Sequence, residues 1–219
     1  MNIIIIANGI FPTLPPVLKL INEADSVICC DGALANYLHW FRQQASRPTH
    51  DVAVVGDGDS LSPALLREAM NEGIGLHHQE VSEQEYNDLT KAVRYAMRHA
   101  DGNGNKIGIL GATGKREDHT LGNISLLMFY AEQFPGNEFY MPSDYGTFHT
   151  VDGERSFDSF AGQQVSIIAL DPAKPLSVEG LLYPIQNRCL TQWWQGTLNE
   201  SLGDSFTIKG DKLLVYLKR

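Results

Sequence analysis

The feature that most restricts how this chain can fold is the alternation of short apolar runs with helix-patterned stretches over residues 1–142. Ile3 to Ala7 is a continuous apolar run, which suits a strand buried on both faces. A helical stretch from Pro15 to Ala24 follows, then the strand-like Ser26 to Cys30. The alternation repeats with helix Ala33 to Gln44 and strand Val52 to Gly56, then helix Pro63 to Asn71 and a strand near Gly75. Helix Asp88 to His99 precedes strand Lys106 to Leu110, and helix Asp118 to Gln133 precedes strand Asn137 to Met141. Within 88–99, Leu89, Ala92, Val93, Ala96 and Met97 recur at the spacing of a single helix face. Such an order predicts an α/β domain with a mostly parallel, Rossmann-like sheet covered by helices, over residues 1–142.

After Pro142 the pattern changes. The runs GTFHTV, QQVSIIAL, RCLTQWW, SFTI and KLLVYLK are separated by Gly, Asp, Asn and Pro, without a helical period. They predict a compact antiparallel all-β domain over residues 143–219.

Composition narrows the partners. With 26 acidic against 17 basic residues the net charge is −9, the wrong sign for a protein that neutralises a phosphate backbone, so no nucleic-acid partner is expected. A polyanionic ligand would need metal ions or a local cluster of donors. No stretch approaches the ~18 apolar residues that span a bilayer, and the opening run lacks a basic flank and meets Pro12 early. Adjacent Cys29 and Cys30 lie in an apolar run, and with Cys189 they have no metal-ligand spacing. A soluble, cytoplasmic protein with free thiols is expected.

Ligands of an open parallel sheet bind beyond the carboxyl ends of its strands, and there the acidic and glycine-rich segments gather. One strand runs into Cys30-Asp31-Gly32 and another into Gly56-Asp57-Gly58-Asp59-Ser60. Asp57 and Asp59, one residue apart in a tight turn, can direct both carboxylates to one point, as Mg²⁺ requires; the alternative is an Asx turn leading into the next helix. Asp88 reads either as a helix cap or as a further carboxylate of a metal site. Lys91, one turn on, either reaches a phosphate or is solvated. The segment Gly111-Ala112-Thr113-Gly114-Lys115-Arg116 resembles a phosphate cradle without the P-loop spacing. Asp118-His119 reads as an acid–base pair or as a cap beside a neutral histidine.

Taken in order along nearly the whole chain, these segments resemble the thiamine pyrophosphokinase family. The family's D-G-G-A-N is approached by Asp31 through Asn36, its G-D-x-D-S is matched by Gly56 to Ser60, and its T-D-x-x-K-A by Asn87 to Ala92. Its G-x-x-G-x-R-x-D-H-x-x-x-N is matched by Gly111, Gly114, Arg116, Asp118, His119 and Asn123. G-L-K-[WY]-P-L is echoed by Gly180 to Ile185, and S-N-E by Leu198-Asn199-Glu200. Ala33, Asn87, Lys115, Leu182 and Leu198 depart from the pattern.

The resemblance implies an N-terminal α/β domain, a C-terminal β-sandwich and a homodimer with sites between subunits. The implied activity is that of a diphosphotransferase: ATP and thiamine give thiamine diphosphate and AMP. Asp57, Asp59 and Asp88 would hold Mg²⁺, supported by Asp31. Lys91, Arg116 and Asp118 would orient phosphates and reacting groups, with Asn36, Ser60, Gly111, Gly114, Lys115 and His119 on the same ligand side. Gly180, Tyr183 and Asn199 would belong to the region that receives thiamine. Asp118 and Asp31 both stand as acceptors of the hydroxyl proton. Two other readings are a diphosphotransferase for another alcohol, such as a hydroxymethylpterin, and a non-catalytic sensor of nucleotide or thiamine diphosphate.

Overall fold

The computed structural model describes residues 1–58, 61–74, 76–80 and 85–219. By its internal contacts the chain divides into two compact units, Met1–Asp144 and Tyr145–Arg219.

The first unit carries β1 (Asn2–Ile6), β2 (Ser26–Cys30), β3 (Asp51–Gly56), β4 (Leu76–Glu80), β5 (Lys106–Leu110) and β6 (Glu138–Pro142). They lie in the order β6-β5-β1-β2-β3-β4, every pair parallel. Helices α1 (Pro15–Asn22), α2 (Ala33–Arg42), α3 (Pro63–Asn71), α4 (Asp88–His99) and α5 (Glu117–Gln133) connect them. The parallel sheet expected from the alternation is therefore present. Ile3, Ile4, Ile5 and Ile6 are all at 0–2% exposure, so β1 is covered on both faces as its unbroken apolar run requires. Tyr37, Leu38, Trp40 and Phe41 of α2 add to the same core, each large side chain contributing about 1.5–3 kcal/mol by burial.

Helix starts follow from local chemistry. Pro15 and Pro63 open α1 and α3, where a missing N–H costs nothing. Ser62 caps α3 by accepting from Leu65 N at 3.1 Å.

The chain lays β2, β3 and β4 to one side of β1 and then returns to place β5 on the other side. Connections diverge at that point, opening a crevice beyond the carboxyl ends of β1 and β5. The two loops bordering it are laced together: Ala7 N donates to Leu110 O at 2.8 Å, Gly9 N to Gly111 O at 2.6 Å and Ile10 N to Thr113 O at 2.9 Å. Gly9 must be glycine, since a Cβ there would overlap the carbonyls of Gly111 and Thr113.

The second unit contains β7 (Gly146–Asp158), β8 (Gln164–Ala169), β9 (Pro175–Glu179), β10 (Ile185–Cys189), β11 (Asn199–Glu200) and β12 (Ser205–Lys218), paired antiparallel. SFTI and KLLVYLK, expected as separate strands, are one strand here. β12 follows β7 along its length, and the register shifts between Gly210 and Leu213, where Lys212 takes φ 54°. A bulge thus joins the two apolar runs. RCLTQWW, expected as a strand, is corrected: β10 ends at Cys189 and Trp193–Gly196 forms a 3₁₀ turn. Gln195 turns the chain there, its Oε1 accepting from Thr191 N at 2.8 Å and Gln192 N at 3.0 Å. The core of this unit includes Val165, Ile167, Val178, Ile208 and Val215, with Phe157 stacked on Phe206. Among the described residues no helix is long and apolar enough to cross a membrane.

Candidate active site

β2 and β3 are adjacent and in register, Cys30 opposite Val55, so the residues that follow each strand emerge side by side. Asp31 leaves β2 in a left-handed conformation, φ 36°, with its N–H bound to Val55 O at 3.2 Å. Its Oδ1 accepts from Gly58 N at 3.3 Å, across the turn that carries Asp57. Gly56 makes this approach possible, because a Cβ at that position would overlap the Asp31 carboxylate.

The third carboxylate arrives on α4, which packs on β1, β2 and β3. Asn87, rather than Asp88, caps this helix, its Oδ1 accepting from Thr90 N at 2.9 Å. Asp88 is thereby released from the capping role and points its carboxylate toward the other two. One ligand oxygen from each of Asp31, Asp57 and Asp88 falls within 4.8 Å of the others. Mg²⁺ binds oxygen at ~2.0–2.1 Å in octahedral geometry, so opposed ligands stand roughly 4 Å apart. The three carboxylates fit one such ion with small adjustment.

Lys91 is buried, not solvated: its side chain is 3% exposed and Nζ stands 3.3 Å from Asp88 Oδ1. Three ionised carboxylates against one ammonium leave a local charge of −2 (3 − 1), which a divalent cation would balance. Burial pushes the Asp88 carboxyl above the usual carboxylate range; Lys91 opposes this, and the charges of Asp57 and Asp31 add to it. Cys30 lies beneath, its Sγ 3.7 Å from Asp88 O, and burial raises its thiol far above the ordinary value.

Of these groups Cys30, Asp31 and Asp88 border a cleft of about 410 Å³ at the switch point. Asp31 and Asp88 form one side, and Gly111, Lys115, Arg116 and His119 the other. Asn123 on α5 holds the glycine-rich loop through Nδ2 to Ala112 O at 2.7 Å, and Lys115 reaches Asn8 Oδ1 at 3.3 Å. Arg116 is exposed and grips Asp118 with two bonds, 3.1 and 2.6 Å. The Arg116 bonds, with a further one from His119 N, hold the Asp118 carboxyl below its usual range. A carboxylate so held is a weaker base, which counts against Asp118 as the proton acceptor.

Not every residue expected at the site borders this cleft. Asn36, Asp57, Lys91, Gly114 and Asp118 do not line it, while Asp59 and Ser60 lie outside the described residues. Asn8 and Gly9 do line it and were not anticipated; an Asn-Gly pair directly after a strand is the turn signal that would have found them. In the β unit Tyr183 is exposed, whereas Asn199 is 5% exposed and committed to backbone. Asn199 Oδ1 accepts from Tyr183 N at 3.0 Å and Glu200 N at 2.9 Å, and its Nδ2 donates to Tyr183 O at 2.8 Å. Asn199→Ala is therefore expected to cost about 1–3 kcal/mol, read as a lower urea midpoint with an unchanged slope. Asn199→Asp keeps the acceptor for both N–H groups but sets a buried carboxylate oxygen against Tyr183 O, so it should cost at least as much.

Two family models match the chain: "Thiamin pyrophosphokinase, catalytic domain" over residues 17–137 and "Thiamin pyrophosphokinase, substrate-binding domain" over residues 146–216. No match was found among curated protein sequences. Among solved structures, the chain resembles thiamin pyrophosphokinase from Candida albicans with a TM-score of 0.82 at 19% identity, covering 99% of this chain and 89% of that one. The yeast enzyme gives 0.79 at 15% identity, covering 99% and 86%. The Bacillus subtilis protein gives 0.78 at 22% identity, covering 100% and 98%. At these identities the structural likeness speaks for the fold.

Proposed function

The chain belongs to the thiamin pyrophosphokinase family, and we propose that it moves the pyrophosphoryl group of ATP to the hydroxyl of thiamine beside a Mg²⁺ site formed by Asp31, Asp57 and Asp88. Asp59 stays in the proposed ligand set by its place in the sequence. The observation that carries this reading is the convergence of the three carboxylates, with buried Lys91 behind them and Lys115 and Arg116 across the same cleft.

When bound, the ion would neutralise phosphate charge against the carboxylates. The chain's own groups supply position. Lys91 fixes Asp88, and Lys115 and the α5 amino end, bordered by Arg116, His119 and Thr120, receive phosphate oxygens. Arg116 would exchange an Asp118 oxygen for phosphate as charge develops. The thiamine oxygen bonds to the β-phosphorus as its proton passes to solvent, the bridge between α- and β-phosphates breaks, and AMP leaves with that bridging oxygen. Alignment of this kind is the main source of rate in phosphoryl transfer.

We further propose that the β unit is a sandwich, supported by the pairing of one half of β12 with β9 and the other with β8. The substrate-binding match over 146–216 supports placing thiamine against the region of Gly180, Tyr183 and Asn199. A cytoplasmic homodimer completes the proposal.

With ATP and Mg²⁺, purified protein is expected to release AMP in step with thiamine diphosphate, only when thiamine is present, and EDTA should stop both. Turnover with a hydroxymethylpterin alone would overturn the acceptor. Mg²⁺-dependent ATP binding without AMP release would overturn catalysis in favour of a sensor.

A further inference from the structure

A second cavity, of about 360 Å³, opens between α4 and α5, and we propose that it binds a small organic anion with an aromatic body. α5 contributes Phe129 and Tyr130 to its wall, Phe134 follows directly after that helix, and α4 contributes Met97. Tyr130 is fully buried, and its hydroxyl is engaged with Thr90 Oγ1 at 2.8 Å. The polar end of that ring is thus satisfied, and what remains toward the cavity is apolar surface. A volume within the ~300–1,000 Å³ typical of small-molecule sites, lined by aromatic rings with a few polar groups, accommodates a planar ring system.

The polar groups are two arginines. Arg94 and Arg98 both line the cavity, four residues apart on α4 and hence neighbours on the helix surface. Neither makes a salt bridge among the described residues, whereas Arg42, Arg47 and Arg116 each hold a carboxylate. In a chain of net charge −9, a pair of guanidinium groups without an acidic partner beside an apolar wall is an anion site by charge complementarity. The negative end of the helix dipole accounts for Arg98 in the last turn of α4, but not for Arg94 in mid-helix. Arg94 is held in place by Tyr86, its guanidinium 3.6 Å from the ring centroid. That stacking leaves the guanidinium edge, with its N–H donors, available to a carboxylate, phosphate or sulfonate. The anion supplies the counter-charge, and its ring packs on Phe129 and Met97.

The proposal uses none of the residues of the first cleft and stands or falls independently of the reaction assigned there. Its test is equilibrium dialysis of 2-naphthoate against the full chain with Mg²⁺ and saturating ATP present, with neutral 2-naphthamide as the matched probe. Saturable naphthoate binding is expected, at least tenfold tighter than binding of the amide. The Arg94→Gln/Arg98→Gln variant should weaken naphthoate at least tenfold and leave the amide unchanged. Equal binding of the two probes, no saturable binding, displacement of naphthoate by ATP, or full retention by the double variant would overturn the proposal. The comparison of probes on the unaltered chain holds even where the variant folds poorly.

Discussion

Asp57→Asn is expected to lower thiamine diphosphate formation by about 10²–10³-fold at saturating ATP and magnesium, as loss of several kcal/mol of charge stabilisation would. The asparagine keeps the shape of the side chain and removes the charge. Asp57 is only partly buried, and without an ion its carboxylate faces those of Asp31 and Asp88. Removing one of three like charges relieves repulsion, so the metal-free variant should unfold within about 1 kcal/mol of the unaltered chain. The two states therefore separate the roles. Magnesium should raise the melting temperature of the unaltered protein, since it binds only the folded form, and should raise that of the variant much less. Turnover near the original value at ordinary magnesium would contradict the ligand assignment. A loss of activity accompanied by an equal loss of stability would mean that Asp57 holds the fold.

A second large effect is expected from a single methyl group. Gly56→Ala places a Cβ where the Asp31 carboxylate now sits. Asp31 cannot yield easily, being fixed by its own N–H to Val55 and by Gly58 N at its Oδ1. Either the carboxylate leaves the cluster or β3 shifts against β2. We expect at least a roughly hundredfold fall in activity on the scale of one lost charge contact, and about 1–3 kcal/mol of destabilisation from overpacking. Gly73→Ala is the matched comparison. Its φ of +80° strains any side chain, but a Cβ there meets open space at the end of α3. That variant should lose about 1–2 kcal/mol and keep its activity per folded molecule. Equal activity of the two variants would show that Gly56 does not govern Asp31.

The parallel sheet could be read from the sequence because β-branched residues buried on both faces leave an unbroken apolar signature. Ile3 to Ile6 carries it, and the helix face of Leu89, Ala92, Val93, Ala96 and Met97 is equally plain; the first four are at 4% exposure or less, and Met97 is partly buried. The β unit was harder to read. β9 begins at Pro175, and a proline lowers the strand signal even where, as the first residue, it is tolerated. Trp193 and Trp194 resemble strand residues by composition, yet they are 50% and 71% exposed on a turn set by Gln195. The Gly210–Lys212 bulge breaks the alternation within one continuous strand, so the sequence looks like two.

At the site, identity was easier to read than environment. Asp31, Asp57 and Asp88 stand at strand or helix ends where a sheet of this kind binds ligands. What stayed hidden was the reason Asp88 is available, since Asn and Asp cap helices about equally well and only the Asn87–Thr90 bond tells them apart. Lys91 was hidden similarly: nothing local to α4 says that β2 and β3 would cover an ammonium group. Asn199 matched its motif for a reason the motif does not express, its amide being spent on the backbone of Tyr183.

The placement of β12 carries a consequence for biosynthesis. It is the strand to which β7, β8 and β9 all hydrogen-bond, and it is also the last of them in sequence. Translation proceeds at ~5–20 residues per second, so the three earlier strands emerge from the ribosome with open edges and must wait for the segment that joins them. The first unit has no such dependence, because β1 to β6 precede residue 145 and pair among themselves. Birth order thus becomes folding order: the first unit can mature while the β unit is still an incomplete set of edges, open to pairing with other nascent chains. A ribosome stalled just before β12 would hold one folded half and one adhesive half, the point in the life of this chain at which a chaperone has most to protect.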